Sequence, residues 1–221
     1  MLRSTALLFA VLSGAVPAHG QGEIIDRVFA IVGGEIVTQS DVDAAIALGL
    51  ADASGSPDPR GAALETLIAR ELTLREVRRY LPPEPAEEIV DRRVAAIRER
   101  FVSAEEFEGL MALLGVDERR LRARVRDDLR IQAYLDERFA SPTQPTDEDI
   151  LAYLAEHPDE FTRNGEVRPL AEVRGEVRRR LEAERRNAMI ADWLTGLRRR
   201  SEVTVLYRTS TTPSAETPSR R

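Results

Sequence analysis

Residues 24–47 place a strand, a two-glycine turn, a second strand and a helix start within one short stretch of the chain. Ile24–Val32 is rich in β-branched and apolar residues, and Glu35–Thr38 is a short return strand. Gly33-Gly34 between them tolerates the positive φ that a two-residue hairpin turn requires. A lone hairpin is only marginally stable in water, so the rest of the chain must supply a further strand or a helix that covers it.

The hairpin is followed by a predicted helix over about 41–51. Ser40 is the predicted N-cap of this helix, and Asp43 takes the capping-box position three residues later. Within the first strand, strict alternation of side chains predicts that Phe29 and Ala30 point to opposite faces of the sheet.

Apolar residues recur at helical spacing through most of the remaining sequence. The predicted helices, including the first, run over about 41–51, 59–80, 85–101, 103–114, 117–139, 146–157 and 169–200. Glu202–Tyr207 then alternates as a strand does, and we predict that it is the third strand beside the N-terminal hairpin. The predicted fold class is therefore mainly α, with a small antiparallel sheet made of an N-terminal hairpin and a C-terminal strand.

Residues 1–20 have the pattern of a signal peptide. Arg3 gives a positively charged start, and Thr5–Val16 is an apolar run that is too short to span a bilayer. Small residues precede two possible cleavage points, after Ala18 and after Gly20. We therefore expect export from the cytoplasm, with membrane contact only through the signal peptide before cleavage. An uncleaved membrane anchor is the alternative.

The composition argues against several classes of function. The net charge of −6 disfavours nucleic acid as a partner. The sequence has no Cys, which excludes disulfides, thiol catalysis and thiolate metal sites. His157 is the one His after residue 20, and a single His cannot build a His-based zinc site. Asp and Glu alternate with Arg at helical spacing, which is typical of a solvated, ion-paired surface. We expect no catalytic group, cofactor or metal.

The basic residues are all Arg, and three runs of them fall on the last predicted helix, at 178–180, 185–186 and 198–200. Each run winds around the helix, so a solvated surface is the main interpretation. A binding site for an acidic partner or for lipid head groups is the alternative.

Asp26–Asp43, with the sequence DRVFAIVGGEIVTQSDVD, resembles the opening of the SurA-type periplasmic chaperones. In that family a strand of the form D-x-[IV]-[VA]-A-[VI]-V-N-x-x-[VI]-[IV] leads into a helix start of the form [ST]-x-S-D-[VL]. Residues 63–72 resemble the second helix of the family. Residues 146–161 resemble the segment that leads into its parvulin-type prolyl isomerase domain.

The resemblance implies a multi-helix module like the N-terminal domain of SurA. Together with the signal-peptide pattern (1–20) and a final stretch of Thr, Ser and Pro that predicts a disordered tail (208–221), it divides the chain into an N-terminal chaperone module (24–139), a connector (140–168), and a C-terminal helix and strand that pack back on this module (169–207). A parvulin domain has roughly 100 residues, as domains usually do. Only Thr162–Arg168 separate Phe161 from the closing helix, so the resemblance implies a family member that lacks the isomerase domain.

The function that the resemblance implies is that of an ATP-independent holdase in the periplasm, without isomerase activity. Its partners would be unfolded polypeptide clients, above all outer-membrane β-barrel precursors. Phe107, Met111 and Tyr134 are the predicted client-binding residues. Two alternatives remain open: a prolyl isomerase, and an assembly subunit bound permanently to one partner. The sequence does not fix the oligomeric state.

We predict that export removes the first 18 or 20 residues, because both cuts leave small residues at the positions that signal peptidases read. The intact mass of protein recovered from the periplasm of an expression host identifies the cleavage point. A full-length mass, found only in the membrane fraction, would contradict the prediction and support the anchor.

Overall fold

The computed structural model describes residues 26–140, 144–163 and 166–207. The predicted signal peptide, residues 141–143 and 164–165 of the predicted connector, and the predicted disordered tail lie outside these residues. The described elements are β1 (Val28–Val32), β2 (Glu35–Thr38), α1 (Gln39–Ala47), α2 (Pro59–Tyr80), α3 (Glu87–Arg98), α4 (Ala104–Leu113), α5 (Glu118–Arg138), α6 (Asp147–Glu156), a 3-10 helix (Pro158–Phe161), β3 (Thr162–Arg163), β4 (Glu166–Val167), α7 (Leu170–Arg200) and β5 (Val203–Val205). This confirms the mainly α fold with a small antiparallel sheet.

The sheet joins the two ends of the described chain. Its strand order is β2-β1-β5, and both pairings are antiparallel. Gly33 and Gly34 have φ values of 56° and 94°, which the two-residue turn between β1 and β2 requires. Ala30 lies opposite Val205, so the predicted C-terminal strand does pair with the N-terminal hairpin.

The pairing of β1 with β2 is irregular at one place. The register shifts between Val28 and Ala30, and such an irregularity re-aims the side chains around it. Phe29 and its neighbour Ala30 are both buried. The ring of Phe29 packs against the ring of Tyr207, with 4.6 Å between the centroids.

The spacing predicts Ser40 as the N-cap of α1, but in the structure the N-cap is Thr38. The Thr38 side chain accepts a hydrogen bond from the Asp41 N–H, and the Asp41 carboxylate accepts one from the Thr38 N–H. The Ser40 hydroxyl donates instead to the carboxylate of Asp26. The capping box is therefore placed two residues earlier than predicted, and α1 begins and ends earlier.

Four clusters of buried apolar side chains hold the described elements together, and the smallest, Leu74, Val77 and Tyr134, joins the C-terminal parts of α2 and α5. The sheet core joins the sheet, α1, α2 and the C-terminal part of α7. The α3–α5 core joins α3, α4 and α5, and Leu48 at the end of α1 enters it. The α6–α7 core joins α6, the 3-10 helix and the N-terminal part of α7. With its 31 residues, α7 therefore contributes to two cores, through Val173 and Val177 at one end and Leu197 at the other.

Replacing Leu197 by Ala should lower the free energy of unfolding by about 2–5 kcal/mol, because it leaves a cavity where α7 closes the sheet core. Met189 lies on the same helix but is 41% exposed, so Met189→Ala should change stability by less than about 0.5 kcal/mol. Urea unfolding followed by circular dichroism measures both. Equal effects of the two substitutions would contradict the role of Leu197.

Candidate functional site

A cleft of about 380 Å³ opens where α2, α3 and α5 meet, and we call it the α2–α5 cleft. Its lining includes a continuous set of apolar side chains from four helices and the loop after α1: Leu50, Ala69, Ile97, Val125, Leu129, Ile131, Leu135 and Leu194. Leu50 contacts both the sheet core and the α3–α5 core. The cleft therefore lies at the boundary between the two largest cores.

Small side chains on α2 leave the space open. Thr66, Ala69 and Thr73 line the cleft, and their spacing of three and four residues places them on one helix face. Residues of ordinary core size on this face would fill the space against α5. The Thr66 and Thr73 hydroxyls donate to the carbonyls of the preceding turn of α2, so they are satisfied within the helix.

On the opposite wall, α5 changes partners along its length. Val125 and Leu129 contact the α3–α5 core, whereas Ile131 and Leu135 pack with Leu74, Val77 and Tyr134 near the C-terminal end of α2. Beside the cleft, α5 thus passes from the α3–α5 core to the cluster of Leu74, Val77 and Tyr134. The half-buried apolar residues of α5 at this crossing line the cleft.

A nearly buried ion-pair network holds α2 against α5 at the edge of the cleft. Arg70, with 12% of its side chain exposed, donates through Nε to Asp128 at 2.6 Å and pairs with Glu71 at 2.6 Å and Asp127 at 3.7 Å. Burial acts to lower the pKa of Arg70, but the attraction and hydrogen bond of Asp128 outweigh it and raise the pKa above its ordinary value. Arg70 is therefore firmly charged and fixed in place.

Arg124 lies on the other side of Asp128, and its pKa is shifted in the opposite direction to that of Arg70. Its Nε donates to Asp128 at 3.4 Å. Burial, followed by the repulsion from Arg70, lowers the pKa of Arg124 below its ordinary value. Asp128 thus interacts with two guanidinium groups at once, and with Glu71 and Asp127 also beside Arg70 both cations at this corner of the cleft are compensated.

The three predicted client-binding residues do not line the α2–α5 cleft. Phe107 and Met111 are 3% and 7% exposed, and they face the α3–α5 core. Tyr134 is 5% exposed and lies between Tyr80 and Trp193, with ring centroids 5.3 and 5.9 Å away. In this structure all three are core side chains, because the apolar stripe of each helix is used against its neighbours. Their contact with a client stays a prediction.

The Arg runs of α7 divide between ion pairs and solvent. Arg180, Arg186 and Arg198 pair with carboxylates of the 3-10 helix, α5 and α2, respectively. Arg178 and Arg179 are exposed. The runs therefore do not form one basic surface, and they help to attach α7 to three other elements.

Within the described ranges, no group of three or more His, Asp and Glu residues is placed to hold a metal ion. The helices of this part of the chain also include none that is long and apolar enough to cross a bilayer.

No protein-family model matches the sequence, and no curated protein is significantly similar to it. Among solved structures, the chain is similar to one from a study of the virulence factor PEB4 and the periplasmic protein Cj1289, two structurally related SurA-like chaperones of Campylobacter jejuni. The match covers 82% of this chain and 100% of that chain, with a TM-score of 0.50 and 13% identity. The chain therefore has the fold of SurA-like chaperones, as its resemblance at residues 26–43 implied.

Tyr134→Phe should raise the free energy of unfolding by about 1–3 kcal/mol. The Tyr134 hydroxyl is buried and has no hydrogen-bond partner among the described residues, burial raises its pKa, and an unsatisfied buried hydroxyl is destabilising. Tyr153→Phe is the control and should be destabilising, because the Tyr153 hydroxyl donates to Glu184 at 2.8 Å. A loss of stability in both variants would mean that the Tyr134 hydroxyl has a partner. Urea unfolding measures the difference.

Proposed function

We propose that this protein is an ATP-independent holdase that binds unfolded secreted or outer-membrane proteins in the periplasm, without prolyl isomerase activity. The observation that carries the proposal is the α2–α5 cleft, an open and largely apolar surface in a chain with the fold of SurA-like chaperones. Of the two proteins named with the similar structure, both are described as SurA-like chaperones and one as periplasmic.

The size of the cleft suits a few side chains of an unfolded client. Its volume of about 380 Å³ lies at the lower end of the range of about 300–1,000 Å³ for ligand pockets. Burial of each large apolar side chain in the cleft contributes about 1.5–3 kcal/mol to the binding free energy. The loss of conformational entropy when the client segment is ordered opposes this contribution. Binding of this kind is weak and reversible, and it depends little on the identity of the client.

The charge of the protein is also compatible with a holdase. At a net charge of −6, copies of the protein repel one another. A chaperone that carries an exposed apolar segment must avoid self-association, and this repulsion supports solubility of the loaded state.

The absence of isomerase activity is proposed from the region between α6 and α7. The described residues there form the 3-10 helix at Pro158–Phe161 and the two-residue strands β3 and β4. A domain of roughly 100 residues has no counterpart between these two helices.

The second candidate function is that of a dedicated assembly subunit. Two exposed apolar residues favour it: Val102 (96%), which precedes α4, and Leu113 (82%), the last residue of α4.

We predict that the protein suppresses aggregation of a urea-unfolded outer-membrane β-barrel protein after dilution, without ATP and at a near-equimolar ratio. Light scattering with and without the protein measures this, and bovine serum albumin at the same mass concentration is the control. Failure to suppress scattering even in large excess, with the protein folded by circular dichroism, would overturn the holdase function. A single stoichiometric partner in a periplasmic pull-down would then favour the assembly subunit.

A second experiment tests the cleft itself and uses the absence of Cys from the chain. Gln132 is exposed and lines the cleft, whereas its neighbour Ala133 is exposed and does not. A single Cys at either position can be labelled with a bulky hydrophilic maleimide. The labelled Gln132→Cys protein should lose most of its protection of the client, and the labelled Ala133→Cys protein should keep it. Equal activity of the two labelled proteins would place client binding elsewhere.

A further inference from the structure

The wall of the α2–α5 cleft opposite Arg70 carries two guanidinium groups without an acidic partner. Arg93 of α3 and Arg100, two residues beyond the end of this helix, both line the cleft. The Arg100 side chain donates to the carbonyls of Gly49 at 2.9 Å and Leu48 at 3.4 Å. Arg93 is exposed and, among the described residues, pairs with no carboxylate.

Most guanidinium groups on the neighbouring helix do have such partners. Arg122 and Arg126 on α5 pair with Glu87 of α3 at 3.1 and 2.6 Å. Arg98, close to Arg100 in sequence, pairs with Glu118 at 3.7 Å. Arg92 of α3, outside the cleft lining, also pairs with no carboxylate among the described residues, so what distinguishes Arg93 and Arg100 is their position at the cleft.

The remaining charges of the cleft do not compensate for these two. Asp128 is the one carboxylate in the described lining of the cleft, against four Arg residues. Its two oxygens accept hydrogen bonds from Arg70 and Arg124, and Glu71 and Asp127 lie beside Arg70. In a protein with a net charge of −6, the cleft thus carries two cations, Arg93 and Arg100, that pair with no carboxylate among the described residues.

Resting on the holdase function proposed above, we propose that the α2–α5 cleft selects client segments in which Asp or Glu flanks the apolar residues. In an extended chain, successive side chains point in opposite directions. An apolar side chain that enters the cleft therefore leaves its neighbours at the rim, beside Arg93 and Arg100. There, guanidinium groups form charge-assisted hydrogen bonds with carboxylates and repel basic side chains.

The test uses three fluorescent peptides with the same apolar centre and with flanks of Glu, Gln or Arg. At low salt, the Glu-flanked peptide should bind about fivefold to tenfold more tightly than the Arg-flanked one, as expected for a few exposed charge pairs. The preference should shrink at high salt, because the Debye length falls to about 3 Å at 1 M. Equilibrium fluorescence anisotropy measures the three dissociation constants.

Two neighbouring substitutions on α3 locate the preference. Arg93→Glu should remove or invert it, whereas Arg92→Glu makes the same change of charge at an exposed residue outside the cleft lining and should leave it in place. Retention of the preference in Arg93→Glu would overturn the proposal, as would equal binding of the three peptides to the unchanged protein. If the Gln-flanked peptide binds the unlabelled protein and the label at position 132 blocks this binding, the cleft binds clients whether or not it prefers acidic flanks. Failure of that neutral peptide to bind would overturn the proposed function.

Discussion

The pairing of β5 with β1 is the contact on which the rest of the structure depends. β1 is the central strand of the sheet, and only β2 on one side of it comes from the local hairpin. Its other edge is covered by residues that follow α7. Without them, this edge would expose unpaired backbone groups and the hairpin would be only marginally stable. The same return of the chain brings Leu197 onto the sheet core.

Local chemistry predicts the helices well wherever one cap has no competitor. Asp58, Ser103 and Thr146 each accept a hydrogen bond from the backbone N–H three residues later, as their positions before apolar runs indicate. It fails at α1, where Thr38 and Ser40 are both suitable caps. The choice is made by Asp26, which binds the Ser40 hydroxyl from a distant position in the sequence.

The candidate site is harder to predict because it depends on what lies opposite each apolar face. Periodicity identifies Phe107 and Met111 as apolar residues of α4, but it does not tell whether a helix or a client covers them. The cleft instead results from small side chains, Thr66, Ala69 and Thr73, and from an α5 that passes from one core to the next. The spacing of the small residues can be seen in the sequence, whereas the crossing of α5 is a tertiary property.

The position of β5 also determines when the protein can fold. Its pairing with β1 joins residues from opposite ends of the described chain. The contact therefore has a very large sequence separation and a high loop-closure entropy, so we expect it to form late in folding. During synthesis, the sheet core remains incomplete until Val205 has left the ribosome. A nascent chain therefore keeps one edge of β1 unpaired until the residues that follow α7 have emerged, and a product truncated within α7 has no route to the closed sheet.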